Sequence, residues 1–130
     1  MYITIYVEPI GKARPRFGIS KQGKKYAYTA PKTAHAENLI RDKVMQFGEY
    51  FERDTPLAIT AVFFRERPKS LKKSVILPIS RPDCDNYEKL LLDSLEKFVY
   101  ANDSQITTAI IKKRFGAPPR IELTIEEEKE

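Results

Sequence analysis

The sequence has very little cysteine, histidine or tryptophan and no long apolar segment. Among its 130 residues there is one Cys, one His and no Trp. A single cysteine cannot form an intrachain disulfide, and one Cys with one His cannot build a zinc site, so disulfide-rich and zinc-based folds are excluded. A membrane-spanning helix needs about 20 consecutive apolar residues, and the longest apolar stretches, such as 61–64 and 90–92, are far shorter. We therefore expect no membrane insertion.

The amino-terminal residues do not have the basic and then apolar segments that are typical of an export signal. Residues 1–7 instead alternate in polarity, which predicts a first strand. We therefore expect a cytoplasmic protein. The chain is 42% hydrophobic and contains no repeat, low-complexity tract or interdomain linker, so its length and composition predict a single domain over residues 1–130.

Basic residues are concentrated in two segments of the chain. Residues 11–32 contain seven Lys or Arg and no acidic residue, and residues 65–81 contain six basic residues against Glu66. Four Glu lie among residues 126–130. Two basic segments with an acidic end are what a surface for binding a polyanion would look like, because Lys and Arg release the counterions of phosphates. The alternative is that both segments are simply solvated loops.

The spacing of apolar residues predicts an α+β fold. Period-two alternation predicts a strand over 2–8, and a basic, aromatic hairpin follows, with its turn at 22–23. Three- and four-residue spacing predicts helices over 33–47 and 86–99. The further predicted strands are 57–65, 106–113 and 121–126. This order predicts a mixed or mostly antiparallel sheet with two helices packed on one face and a basic N-terminal hairpin.

Two aspartates just before the second predicted helix indicate a metal site. In an extended segment Asp83 and Asp85 share a face, about 6.6 Å apart along the chain. Two such carboxylates repel each other unless a cation lies between them, and Mg²⁺ prefers oxygen ligands of this kind. If the helix begins at Asn86, Lys89 lies one turn beyond Asp85 on the same face. Asp103 follows the helix, and the next strand can bring it back beside the first two carboxylates.

Each of these residues also has a structural explanation. Asp85 with Glu88 three residues later has the form of a capping box at the start of a helix. Asp103 can be a turn residue before the last strands, and Lys89 can be a surface charge paired with Asp85 or Asp93. Capping does not account for Asp83.

The same residues resemble the RusA-type Holliday-junction resolvases, which are small dimeric endonucleases common in bacterial and prophage genomes. The resemblance lies in Pro82-Asp83-x-Asp85-Asn86-x-x-Lys89 and, downstream, in Asp93-x-Leu95 and Asp103-x-Gln105-Ile106. Upstream it includes Gly11-x-x-Arg14-Pro15-Arg16 and Pro31-Lys32-Thr33. These elements cover about three quarters of the chain and occur in the order of the family.

The resemblance implies that Asp83, Asp85 and Asp103 bind the metal and that Lys89 is the essential basic residue. It also implies a Mg²⁺ requirement, a homodimer and a four-way DNA junction as substrate, cut by paired symmetric nicks through phosphodiester hydrolysis. Members often have a second Asp immediately before the third carboxylate, and this sequence has Asn102 there. Asn can still offer an oxygen, so this difference leaves the assignment of Asp103 standing.

On this interpretation the two basic segments bind DNA, and Phe17, Tyr26 and Tyr28 of the hairpin stack on unpaired bases. The alternative is that these aromatic residues pack on each other or on the sheet. The candidate DNA-binding residues are Lys12, Arg14, Arg16, Lys24, Lys25, Lys32, Arg67, Lys69, Lys72, Lys73 and Arg81. Two other functions fit the sequence. One is a non-catalytic protein that binds branched DNA, and the other is a nuclease of the same family that acts on flaps or forks. The acidic residues favour a nuclease, because a protein that only binds phosphate gains nothing from carboxylates near its anion site.

Overall fold

The elements of the computed structural model, which describes all 130 residues, follow the apolar periodicity of the sequence. In chain order they are β1 (Tyr2–Ile5), β2 (Arg16–Ile19), β3 (Lys25–Tyr28), α1 (Pro31–Phe47), β4 (Leu57–Arg65), α2 (Cys84–Leu95), β5 (Ile106–Phe115) and β6 (Arg120–Glu127). A 3₁₀ turn over Asp103–Gln105 precedes β5. The α+β class and the single domain agree with the prediction from the sequence.

Four strands form a mixed sheet in the order β1-β6-β4-β5. β4 pairs in parallel with β5 and antiparallel with β6, while β1 pairs antiparallel with β6. β4 is therefore an interior strand, and its alternate residues from Leu57 to Phe63 are buried. The long connection between the parallel strands β4 and β5 contains α2, and this connection carries the candidate carboxylates.

Both helices cover one face of the sheet, as predicted. α1 buries Ile40 and Val44, and α2 buries Tyr87, Leu90 and Leu91. The rings of Tyr87 and Phe63 are stacked, with centroids 4.6 Å apart. This packing fixes α2 firmly over β4 and β5, so its first turn has a defined place at the end of the sheet. No helix is long and apolar enough to cross a membrane.

The second helix is displaced from its predicted bounds of 86–99. It begins two residues earlier because the backbone turns helical directly after Asp83, whose φ of −73° and ψ of 158° are extended. It ends at Leu95 because Lys97 adopts a positive φ of 73° and donates its backbone N–H to the carbonyl of Tyr100. Phe98, which belongs to the apolar helical pattern, is consequently exposed and lies beneath the guanidinium of Arg41.

The predicted hairpin forms a separate two-stranded sheet of β2 and β3. Its residues are exposed apart from Gly18, which is partly covered by the ring of Tyr26. A Cβ at Gly18 would lie 2.6 Å from that ring, so a larger residue here would displace the Tyr26 side chain. Tyr26 and Tyr28 contact each other with centroids 5.9 Å apart, whereas Phe17 is 74% exposed. The hairpin thus presents basic and aromatic side chains to solvent.

Candidate active site

Two free carboxylates stand at the amino end of α2. Asp83 is the residue before the helix and Asp85 lies in its first turn, and both are exposed. Neither side chain caps the helix or forms an ion pair. The capping box predicted for Asp85 and Glu88 is therefore wrong, because the helix already begins at Cys84 and places Asp85 inside it. The premise of one extended segment through both aspartates is wrong for the same reason.

These two side chains fit a hard divalent cation. Their oxygens accept no hydrogen bond from a protein side chain or backbone N–H, so they are available as ligands. Mg²⁺ is commonly held by one or two carboxylates, with water and substrate phosphates completing its six ligands. The pair can therefore hold Mg²⁺ without a complete protein cage.

Lys89 lies one turn beyond Asp85 on the same helix and is exposed. Its ammonium pairs with neither Asp85 nor Asp93, which were the structural alternatives. Asp93 binds Lys12 instead, with 3.3 Å between the charged atoms. Lys89 is therefore an unpaired cation one helical turn beyond the free carboxylate of Asp85.

Asp103 lies beyond the opposite end of α2. Its Oδ1 accepts a hydrogen bond from the Tyr100 hydroxyl at 2.7 Å, and its backbone N–H donates to Glu96 at 2.9 Å. Burial raises the pKa of Asp103 above its usual range; the Tyr100 hydrogen bond opposes this rise, and the nearby charges of Glu96 and Asp93 reinforce it. Burial likewise raises the pKa of Tyr100, so this hydroxyl stays protonated and can donate.

Within one chain the three aspartates are not assembled around a common point. No group of three or more His, Cys, Asp or Glu side chains is placed where it could hold a metal ion. The 12 residues of α2 span about 18 Å at 1.5 Å per residue. Asp83 precedes the helix and Asp85 lies in its first turn, whereas Asp103 contacts residues that follow the last turn. Asp83, Asp85 and Lys89 therefore lie at one end of α2 and Asp103 lies beyond the other, and the metal-binding roles of the three aspartates stay predictions.

The segment that leads into the hairpin passes directly over the first turn of α2. The backbone N–H of Lys12 donates to the carbonyl of Asn86, and a Cβ on Gly11 would lie 3.0 Å from Pro82. The ammonium of Lys12 also binds the buried Glu37 at 3.2 Å. The hairpin is thereby attached beside the two carboxylates, and Gly11 permits the close contact.

The eleven predicted DNA-binding residues fall into two groups. Lys12 is largely buried in its ion pairs, and Arg67 donates to the carbonyls of Lys72 and Val75, so both side chains already have partners inside the protein. The other nine are exposed and form no ion pair. They are Arg14, Arg16, Lys24, Lys25, Lys32, Lys69, Lys72, Lys73 and Arg81.

Two further cations lie next to the candidate site and were not predicted to belong to it. Arg65, at the end of β4, and Lys113, on β5, donate hydrogen bonds to backbone carbonyls of residues 80–82, immediately before Asp83. The only sequence signal was that Arg65 belongs to the second basic segment. Gln105 was named from the sequence only as part of the family motif. In the structure it is buried, and its side-chain amide is fully hydrogen bonded.

Comparisons with known proteins identify the family of the chain. The chain is 28% identical over 134 residues to the uncharacterized protein YqaN of Bacillus subtilis (strain 168), with 95% of this chain and 94% of that protein covered. It is 39% identical over 80 residues to the crossover junction endodeoxyribonuclease rusA of Lactococcus phage r1t, covering 61% of this chain and 60% of the phage protein. The family described as Endodeoxyribonuclease RusA matches residues 7–126, which contain every candidate site residue. The chain therefore belongs to the RusA endodeoxyribonuclease family.

Proposed function

We propose that this protein is a Mg²⁺-dependent endodeoxyribonuclease that resolves four-way DNA junctions by paired symmetric nicks and acts as a homodimer. The observation that carries the proposal is the pair of unpartnered carboxylates, Asp83 and Asp85, beside the unpaired Lys89 in a chain of this family. Phosphate binding alone does not explain why two acidic residues lie free within a basic protein.

In this mechanism Asp83 and Asp85 would hold Mg²⁺. Asp103 stays the third candidate ligand because the family resemblance implies it, although within one chain it lies beyond the other end of α2. The bound ion would supply Lewis acidity and a water molecule that loses its proton more easily. Lys89 lies where its ammonium can offset the negative charge that develops on the phosphoryl group or on the leaving oxygen. The side chain is exposed and has no carboxylate partner, so its charge is available for this role.

The nine exposed, unpaired basic residues bind the DNA backbone in this proposal. Five of them lie in or next to the hairpin, and the other four lie in the connection before α2. Phe17 is the aromatic residue best placed to stack on an unpaired base, because it projects from the hairpin with 74% of its surface free. Tyr26 and Tyr28 contact each other instead.

The proposed homodimer follows from the symmetry of the substrate. A four-way junction has approximate two-fold symmetry and two equivalent phosphates to cut, and a two-fold dimer presents two equivalent sites. β4 is an interior strand with one buried face. Only its half-buried face, from Ala58 to Phe64, is left to contact a second copy.

The test is cleavage of a labelled synthetic four-way junction by the wild type and by Asp85→Asn. Each protein is incubated with the junction, a flap, a fork and a linear duplex, in Mg²⁺ or in EDTA. Asp42→Asn is the matched control, because Asp42 is an exposed aspartate on α1 with no ion pair. We expect paired nicks in the junction with the wild type and Asp42→Asn, and no nicks with EDTA or Asp85→Asn, while Asp85→Asn still binds the junction.

Two other outcomes identify the alternative functions. Junction binding without cleavage under every metal condition contradicts the nuclease and leaves a protein that only binds branched DNA. Metal-dependent cleavage of flaps or forks in preference to the junction retains the nuclease and replaces its substrate. Sedimentation of the protein with and without the junction tests the dimer in the same preparation.

A further inference from the structure

The backbone immediately before the candidate metal site is held by two cations. Arg65 donates to the carbonyl of Arg81 at 2.7 Å, to the carbonyl of Ser80 at 3.1 Å and to the Ser80 hydroxyl at 2.9 Å. Lys113 donates to the carbonyls of Ser80 and Pro82, both at 2.9 Å. Three successive carbonyls therefore bind cations from the sheet, and the last of them belongs to the peptide bond that joins Pro82 to Asp83.

The sheet places these two cations together. β4 and β5 are parallel neighbours, with Phe63 opposite Lys113 and Arg65 opposite Phe115. Phe63 faces α2, where it stacks on Tyr87, so Arg65, two residues later, and Lys113 lie on the same face near the carboxyl ends of their strands. Neither cation forms an ion pair with a carboxylate.

We propose that Arg65 and Lys113 are positioning residues, which hold residues 80–82 so that Asp83 and Asp85 stand together for metal binding. The proposal rests on the proposed function, because it assigns the metal to these two carboxylates. No side chain caps the amino end of α2, and the carbonyl of Asp83 accepts hydrogen bonds from the N–H groups of Asn86 and Tyr87. The sheet cations hold the three residues before Asp83. Without these contacts the chain leading into Asp83 could shift, and the direction of the Asp83 side chain relative to Asp85 would shift with it.

The opposing explanation is that these cations bind DNA phosphates directly. The two roles differ in what they change. Loss of a positioning residue weakens metal binding in the absence of DNA. Loss of a phosphate contact instead weakens DNA binding in the absence of metal and lowers the salt dependence of that binding. Their contacts with backbone carbonyls favour the positioning role, because most of their hydrogen-bonding capacity is directed into the protein.

The experiment measures Mn²⁺ binding to the DNA-free protein from the electron paramagnetic resonance signal of the free ion. Lys113→Met removes the ammonium and keeps the apolar stem. Lys112→Met is the matched control, because the neighbouring Lys112 is exposed on the other side of the strand and makes no hydrogen bond. An Asp83→Asn, Asp85→Asn double variant defines the signal without the site.

We expect Lys113→Met to bind Mn²⁺ roughly tenfold more weakly than Lys112→Met, which is typical of losing a residue that orients a metal ligand. Junction affinity in EDTA should be the same for the two variants. Lys113→Arg, which keeps a cation and its donors, should restore most of the Mn²⁺ affinity. Arg65→Met and Arg65→Lys provide the same contrast on β4, in case Lys113→Met fails to fold.

Equal Mn²⁺ affinity in Lys113→Met and Lys112→Met overturns the proposal. A selective loss of junction binding in EDTA also overturns it and assigns Lys113 to the DNA. If the wild type binds Mn²⁺ through the aspartates but cleaves no DNA, the proposed function fails and the positioning role stands. If the wild type binds Mn²⁺ no better than the double aspartate variant, the positioning role fails whatever the cleavage result.

Discussion

Gln105 should be one of the most important residues for stability, although it neither binds metal nor carries charge. Its side chain is only 7% exposed and uses its amide in four hydrogen bonds. The oxygen accepts from the backbone N–H groups of Ala101 and Asn102 at 2.9 and 3.0 Å. The nitrogen donates to the carbonyls of Glu52 and Thr55 at 2.8 and 3.1 Å. One side chain therefore joins the turn before β5 to the segment before β4.

The cost of removing this amide follows from those bonds. A buried hydrogen bond contributes about 1 kcal/mol net, so the four contribute about 4 kcal/mol. Releasing the side chain returns about 1 kcal/mol of conformational entropy. We therefore expect Gln105→Ala to lower the free energy of unfolding by about 3 kcal/mol, a large part of the 5–15 kcal/mol that is usual for a domain.

Urea unfolding followed by circular dichroism measures this loss. Ser104→Ala is the control, because its hydroxyl is exposed and makes no hydrogen bond, and it should change the free energy of unfolding by less than about 0.5 kcal/mol. Gln105→Glu keeps the acceptors but loses both donors, so it should be less destabilising at acidic pH, where a protonated carboxyl can donate again. A loss below about 1 kcal/mol for Gln105→Ala would refute the additive treatment of the four bonds.

Three further perturbations test other parts of the structure. Tyr87→Phe should change stability by no more than about 1 kcal/mol in thermal unfolding, because the buried hydroxyl has no hydrogen bond of normal geometry, although the Arg65 guanidinium lies near it; a larger loss would mean that Tyr87 is hydrogen bonded to Arg65. Glu37→Gln should cost about 2–3 kcal/mol in urea unfolding, because this buried carboxylate neutralises Lys12 and Arg41, and unchanged stability would contradict that role. Burial raises the pKa of Asp103 above its ordinary 3.8, so the folded state binds this proton more tightly than the unfolded state and loses stability as pH rises through that range. Asp103→Asn removes this loss, so its stability relative to the wild type should increase from pH 3 to pH 7 in calorimetry while cleavage falls, and a pH-independent difference would contradict the linkage.

The sequence was a good guide to the sheet and helices because their apolar residues recur with the period of each element. The strand from Leu57 to Arg65 was predicted with its observed bounds, and α1 differs only at its start. The bounds of α2 were not predictable from periodicity, because its start depends on the extended backbone at Asp83 and its end on the positive φ of Lys97. Neither backbone conformation can be predicted from the spacing of apolar residues.

The candidate site was predictable to the extent that its residues are close in sequence. Asp85 and Lys89 are four residues apart, so one helical turn relates them whatever the rest of the fold does. The carbonyl contacts of Lys113 connect residues more than thirty positions apart and depend on the parallel pairing of β4 and β5. A count of charges along the sequence treats Lys12 and Arg16 alike. The structure distinguishes them, because Lys12 lies in a largely buried ion pair and Arg16 is an exposed cation.

The order of the strands has a consequence for synthesis of the protein. β1 has no partner except β6, and Tyr2 pairs with Thr124. A ribosome that adds 5–20 residues per second needs on the order of ten seconds to make the intervening chain. During that time Ile3 and Ile5, which the finished sheet buries, have no strand to pair with, and an unpaired apolar strand invites aggregation. The yield of folded protein in a cell should therefore depend on the speed and temperature of translation as well as on the stability of the finished fold.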